Sequence, residues 1–563
     1  MSKIFSRRNA LQAMTALPGM LALGCAAEAE EEAEASEDAI QGASELLTRY
    51  KKFVIVIMEN RSFDHYFGHL SLSREEGGEG NTKVNGFSTL AAHTNLDLNG
   101  NKVGIFRPQG HELGDIDHEW EACHDQFGGG TNDGFVRAHQ KDLVRLNDGD
   151  ETTKAICFGT TTDDAVPVAK CGDPKDPMAF YTRQDTPVYH QLLDEYVLCD
   201  NWFASVMGPT WPNRYYLHAA TSGGRKVNKP LSGIGSEARN SIFGQVSARA
   251  RQIRRDNRSL GDESRLCVNF FADVPLLPIM FPTALGMGNG LDFINLFPDF
   301  NYAHLYDRPR SGGQDALTQL TNGKLFGGNI PSGFLEFVAN ARRSPTFQTL
   351  CAEGKLPPIS YIEPPFMLAP MDDHPPHDVL AGQAFISSIY KMLQDSPDWN
   401  DTLLIITYDE HGSFYDHVRP GVVNEDQNSE FRQLGFRVPS LVIGAGVKKN
   451  HVSKVQYDHC SVISTLSNRF GLAPINDRVR VAKPLLDCIA SSAERSAAAS
   501  GGLRLQRVQL SESKVLGSAR IAAGQKEIVE KVFHGSVPYE AKRIFTNGIL
   551  EIFDQLGVAS IGR

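Results

Sequence analysis

Glu59-Asn60 and Asp409-Glu410 are two pairs of hard oxygen donors, each following directly on an apolar, β-rich run: KFVIVIM (Lys52–Met58) before the first and TLLIITY (Thr402–Tyr408) before the second. Carboxylate and amide oxygens without a cysteine suit Ca²⁺, Mg²⁺ or Mn²⁺, with Zn²⁺ less favoured. A single acid of this kind is most simply a helix cap or a solvated loop residue. Paired donors at two strand ends point instead to one divalent ion held by Glu59, Asn60, Asp409 and Glu410. SVMGPTWPNRYY (Ser205–Tyr216) adds Thr210, two residues before Pro212 and four before Arg214. A hydroxyl ligated to a divalent cation loses its proton more easily and becomes a nucleophile. The proline fixes the turn, and the Arg214 fork can hold both the nucleophile and an anionic ester. A Thr210 hydroxyl placed on that ion could serve as nucleophile and fifth ligand; taken alone, the same stretch is an ordinary turn with a surface arginine.

Histidines supply the third element. MDDHPPHDV (Met371–Val379) sets His374 and His377 among two prolines and three aspartates. DEHGSFYDHV (Asp409–Val418) adds His411 and His417, and the stretch from Asp115 to Phe135 adds His118 and His124. Rigid histidines neutralise phosphoryl oxygens or protonate a leaving alkoxide. Any one of them is by itself a satisfied structural group; the set reads as an anion site led by His374 and His118. Asp64, as a cap for the next helix, and Arg61, as a partner for carboxylates, are expected to support the site rather than catalyse.

These groups meet only if the elements carrying them converge. PSLVIGAG (Pro439–Gly446) reads as a third strand, and GQAFISSIYKMLQDS (Gly382–Ser396) as a helix with apolar residues three to four apart. Buried strands alternating with helices predict an α/β fold with a mostly parallel sheet covered on both faces. In such sheets ligands sit off the carboxyl ends of the strands, where both acid pairs lie. The catalytic domain is read as residues 48–490, with the Gly-, Pro- and Asn-rich stretch 225–350 as an insertion or substrate cap. SSAERSAAASGG (491–502) reads as a linker, and 503–563 as a helical extension.

The 563 residues are ample for a large core, and the net charge of −11 argues against a general nucleic-acid binder. Residues 26–47 are rich in Glu and read as an acidic, solvated spacer. Ahead of them, SRRNALQ (Ser6–Gln12) resembles a twin-arginine export signal, and LALGC ends in Cys25, a lipidation cysteine with Ala22 in place of the usual leucine. Export to the periplasm or beyond follows, with either an acylated Cys25 as membrane anchor, the favoured reading, or a signal cleaved without lipid. Cys157 and Cys171 flank a loop where a disulfide could form; no CxxC pair suggests structural zinc.

The Thr210–Arg214 pattern resembles the C-x-P-x-R element of sulfatases, with threonine where the modified cysteine would stand. More widely, the chain resembles the bacterial and plant phosphoesterase family that includes phosphatidylcholine-type phospholipases C, plant non-specific phospholipases C and an acid phosphatase branch. The resemblance rests on ENRSFDHYFG, DIDHEW, GPTWPNR, DDHPPHDV, GQAF, ITYDEHGSFYDHV and YDHCSV, ordered along about residues 50–470. It implies an alkaline-phosphatase-like α/β/α sandwich. It also implies that Glu59, Asn60, Asp409 and Glu410 are metal ligands, Thr210 the nucleophile, and His118 and His374 phosphate-binding or proton-donating groups. His377, His411 and His417 lie in matching motifs. Ser413 replaces the usual second glycine. The implied activity is a phospholipase C acting on phospholipid at a membrane surface, with an acid phosphatase as the rival and a non-catalytic, anion-binding surface lipoprotein as the alternative of another class.

Overall fold

The structure, a computed structural model, describes residues 45–111, 113–147, 172–228, 240–256, 266–272, 300–307, 344–365, 369–424, 429–491, 502–518 and 539–562. The twin-arginine segment, Cys25, the acidic spacer up to 44, Cys157 and Cys171 lie outside them, as does nearly all of the linker.

Among the described residues eight strands form the central sheet: β1 (Lys52–Met58), β2 (Val197–Cys199), β3 (Val268–Phe271), β4 (Phe300–Ala303), β5 (Ile359–Ile362), β6 (Thr402–Tyr408), β7 (Leu441–Ile443) and β8 (His451–Ser453). Their spatial order is β8-β2-β7-β6-β1-β5-β3-β4. All neighbours pair in parallel except β7, which runs against both β6 and β2. The strand read from PSLVIGAG is thus the one reversed member of the mostly parallel sheet. β3 and β4 fall inside 225–350, so part of the stretch read as an insertion or cap belongs to the sheet.

Six helices matter to the site: α1 (Phe63–Phe67), α2 (Trp120–Phe127), α3 (Pro187–Glu195), α4 (Thr210–Ala219), α5 (Val379–Gln394) and α6 (Cys460–Phe470). β1 is buried along its length from Phe53 because helices cover both of its faces. The Phe53 ring meets Phe470 of α6 at 5.6 Å, whereas Tyr408, the partner of Met58 in the ladder, reaches the Tyr189 hydroxyl of α3 at 3.0 Å. Phe53 and Met58, five residues apart, point to opposite sides of the pleat. Each fully buried Val or Ile in such a strand contributes roughly 1.5–3 kcal/mol.

The C-terminal extension departs from the expected helical tail. It carries a parallel pair, Val508–Ser511 with Ala559–Gly562, beside the helix Tyr539–Gln555. Val508, Leu510 and Phe553 are buried in the same core as β1, and Gln394 of α5 donates to the Leu503 carbonyl at 3.0 Å. Among the described cysteines all are free thiols, and Cys199 and Cys488 lie closest, Sγ to Sγ 3.7 Å.

His111 joins two of these elements. It pairs with Asp378, the residue that caps α5 by accepting from the Leu380 N–H, and with Asp185 just before α3. Burial disfavours its charge, but the two aspartates outweigh that and raise its pKa to about 9. A histidine raised on folding stabilises fully below its unfolded value near 6.5, and that stabilisation is lost as pH rises through about 9. Thermal unfolding of the parent chain should therefore lose on the order of 2 kcal/mol more between pH 6 and pH 9.5 than that of His111→Gln.

Candidate active site

β1 and β6 pair in register from Lys52↔Thr402 to Met58↔Tyr408, so the next residues, Glu59-Asn60 and Asp409-Glu410, leave the sheet side by side. The Asp409 N–H donates to the Met58 carbonyl, and the Asn60 N–H donates to Asp409 Oδ1 at 3.0 Å. Asn60 sits at φ +62°, a left-handed conformation that asparagine tolerates better than most residues. Gly412 lies against it: a Cβ there would fall 2.1 Å from the Asn60 carbonyl oxygen, and its own φ is +61°. Ser413 is left-handed too, at φ +62°, which is the conformation that the family's glycine would take without cost. Its hydroxyl instead bonds the Asp117 carbonyl and the Gln126 amide, tying this turn to α2. Gly412→Ala should displace Asn60 and cost at least about 2 kcal/mol in urea unfolding, since it combines a left-handed alanine with a backbone clash.

Thr210 is the first residue of α4. The preceding turn is held by Asn213, whose side chain accepts from the Val206 N–H at 3.0 Å and donates to the Gly208 carbonyl at 2.9 Å. Pro212 fits because first-turn N–H groups have no helical partner. The helix thus starts with the Thr210 hydroxyl 3.5 Å from Asn60 Oδ1. One turn on, Arg214 is buried among three acids: NH2 to Glu59 Oε1 at 3.0 Å, NH1 on Glu363 Oε2, and Nε to Asp409 Oδ2 at 3.6 Å. Glu363 was not singled out in the sequence, yet it follows β5 as Glu59 follows β1; a strand running into a carboxylate was the available signal.

Five buried acids (Glu59, Glu363, Asp372, Asp409 and Glu410) face few cations. Burial pushes Glu59 and Glu363 up against the pull of Arg214, and raises Asp409 to about 7. Asp409 Oδ2, Glu410 Oε1 and Asp372 Oδ2 are buried without a hydrogen-bond partner.

His118 and His374 come together as expected, ring centroids 5.7 Å apart. His118 Nδ1 donates to the Ile116 carbonyl at 2.7 Å, and Nε2 lies 3.0 Å from the Asn60 amide nitrogen and 3.9 Å from Glu410. Burial opposes its charge, but Glu410 and Asp115 raise its pKa to about 10. With the Asn60 oxygen turned to Thr210 and its amide nitrogen to Nε2, the charge on His118 is compensated by Glu410 and Asp115 and not by Asn60. His374 is held neutral by burial and by the charge on His118 beside it. His377 stands next in line, 5.9 Å from His374, with Nδ1 2.5 Å from Asp372.

The remaining motif residues brace the site. His411 bridges Glu410 and Gln126. His459, from YDHCSV, bonds the Asp409 carbonyl at 2.7 Å. Gly382, from GQAF, lets α5 approach Asp373, whose carboxylate a Cβ would strike at 1.8 Å. Arg61 does not pair directly with a carboxylate: its Nε donates to the Asp373 carbonyl, and its guanidinium lies over the Phe414 ring. Asp64 does not cap α1; Ser62 does, accepting from the His65 N–H at 3.1 Å. Asp64 instead pairs with Arg437 at 2.9 Å and His417 at 2.6 Å. His417 sits in this cluster with Arg437 and Asn85, and none of its described contacts is with Thr210, His118 or the strand-end acids. His124 packs on Trp120, away from the acids.

A sequence profile of the Phosphoesterase family matches residues 50–253 and 334–473, more than half of the chain and every site residue above. The chain belongs to the phosphoesterase family. This phosphoesterase is 26% identical over 464 residues to non-specific phospholipase C6 of Arabidopsis thaliana, covering 77% of this chain and 70% of the plant protein. It is 28% identical over 462 residues to phospholipase C B of Mycobacterium tuberculosis, covering 76% and 74%. Among solved structures it is similar to a protein of the alkaline phosphatase superfamily from Vibrio parahaemolyticus, with 14% identity, coverage of 54% and 64%, and a TM-score of 0.26. Hydrolysis of phosphoric esters is the activity that this membership carries.

Proposed function

We propose that this phosphoesterase is a metal-dependent phospholipase C that releases diacylglycerol from phosphatidylcholine-type lipids through a phospho-threonine intermediate. The observation that carries the reading is the Thr210 hydroxyl at the head of α4, facing Asn60 above two strand ends, with Arg214 one turn behind it. The donor set fits a divalent ion, since Asp409 Oδ2 and Glu410 Oε1 are buried hard oxygens with no hydrogen-bond partner. Asn60, Thr210, Asp409 and Glu410 would hold it; Glu59 would join through the oxygen that Arg214 leaves open. When bound, such an ion lowers the pKa of the hydroxyl and offsets charge on phosphoryl oxygens.

The Thr210 hydroxyl gives up its proton to solvent and attacks phosphorus, forming the Oγ–P bond as the P–O bond to diacylglycerol breaks. Arg214, one turn behind Thr210, would set its charge against the equatorial oxygens. His374 is neutral in the ligand-free site; an incoming phosphate favours its imidazolium, so it arrives at the leaving alkoxide with a proton to give. Charged His118 stabilises the phosphoryl group from the same side. Water, losing a proton to the His374 that has become neutral again, then attacks phosphorus; the P–Oγ bond breaks, the Thr210 oxygen takes a proton back, and the phosphorylated head group leaves.

Support for a lipid diester comes from the phospholipase C relatives, whereas the site chemistry is common to diesters and monoesters. The proposal includes export by the twin-arginine route, a membrane surface as the working site and an acylated Cys25. The test compares phosphocholine release from phosphatidylcholine vesicles with hydrolysis of nitrophenyl phosphate, each before and after chelation. Vesicle hydrolysis that chelation stops is expected; turnover of the monoester alone would make the protein an acid phosphatase, and chelator-resistant turnover would remove the metal.

A further inference from the structure

His69, Glu79 and His190 form a cluster of donor groups that the chemistry at Thr210 does not use. One ligand atom from each lies within 4.8 Å of the other two. His69 is in the turn Gly68–Ser71 that follows α1, Glu79 in the loop beyond it, and His190 on α3. The two imidazole rings are 5.0 Å apart.

Three features set the cluster apart from an ordinary buried histidine pair. First, His69 is 1% exposed and neither of its ring nitrogens has a hydrogen-bond partner. Second, His190 is fully buried and its Nδ1 donates to the Thr186 carbonyl at 2.8 Å, so Nε2 carries the lone pair, and that atom has no partner either. An Nδ1–H on a backbone carbonyl is how metal-binding histidines are commonly fixed. Third, Glu79 Oε1 stands 3.8 Å from His69 Nε2, too far for a hydrogen bond, while Arg183 grips the carboxylate at 2.8 and 3.0 Å and orients it. Buried polar atoms are rarely left unpaired, and here three ring nitrogens of two neighbouring histidines are.

We propose that His69, Glu79 and His190 bind a zinc ion, at a site separate from the strand-end acids. Two neutral imidazoles and one carboxylate are a zinc donor set, with a fourth position for water on the partly exposed Glu79 side. Burial lowers the pKa of both rings, that of His190 to about 3, so neither has to shed a proton to bind. The ion would clip the turn after α1, which begins three residues beyond Asn60, onto α3.

The test counts zinc per chain by elemental analysis after chelation and reloading. At the zinc concentration that saturates the parent, Glu79→Gln and His69→Gln are each expected to hold one ion fewer, with affinity down at least about 10-fold. Cobalt substituted in the parent should show tetrahedral visible absorption that His190→Gln abolishes. Glu79 is partly exposed, so its amide variant remains informative should a buried histidine variant fail to fold. Equal zinc content and affinity in the parent and Glu79→Gln would overturn the proposal, as would a parent that binds no zinc.

Discussion

Thr210→Val should lower kcat by at least about 10⁴-fold on any phosphoester the enzyme accepts, as expected when a covalent nucleophile is removed. Valine keeps the shape of threonine, and the only described hydrogen bond lost is the 3.5 Å contact to Asn60, so the melting temperature should hardly move. Thr210→Ser, which keeps a hydroxyl at the head of α4, should retain measurable turnover. Single-turnover assays on a soluble substrate, with melting curves alongside, separate the chemistry from lipid binding. Turnover by the valine variant near the parent's rate would remove Thr210 as nucleophile and return the leading role to water.

Arg214→Met should be the most destabilising substitution at the site. The guanidinium is the common partner of Glu59, Glu363 and Asp409, all buried. Removing one member of a buried ion pair typically costs about 3–5 kcal/mol, because the partners stay buried without compensation. The pH dependence gives the mechanism a signature. These carboxyls already titrate above their unfolded values, so charging them opposes folding, and without Arg214 the opposition grows as pH rises. Urea unfolding in the presence of chelator should show the deficit at pH 7.5 and a partial recovery at pH 5. A deficit that ignores pH would mean that the loss is one of packing. Glu363→Gln, which keeps shape and removes one negative charge, should cost far less.

How far the fold could be read from sequence depended on how local each signal was. β1 and β6 were legible because a seven-residue, mostly apolar and β-rich run leads into paired polar donors, and that pattern needs no tertiary knowledge. The direction of β7 was not, because a three-residue apolar strand looks the same whichever way it lies in the sheet. Glu363 escaped notice since β5 is only four residues long, although the same strand-end logic applied. Asp64 and His417 sit inside informative motifs, but their partner Arg437 is 373 residues from Asp64, and no spacing rule reaches that far. Thr210 and Arg214 were legible as a pair because Thr-x-Pro-x-Arg resembles the sulfatase element; that the two lie one helical turn apart was not read from the sequence. What they face, a third acid from β5, depends on strand order across the sheet. The two strands within 225–350 were hidden by the Gly- and Pro-rich composition around them.

The ladder between β1 and β6 has a consequence for how such an enzyme can diverge. Because seven residues on each strand are matched rung by rung, the width separating the Glu59 side of the cleft from the Asp409 side is the spacing of two adjacent strands. No side-chain exchange can widen or narrow that gauge without breaking the sheet. New substrates must therefore be won in the side chains and loops around it, while the distance between the two acid pairs stays a fixed property of the backbone.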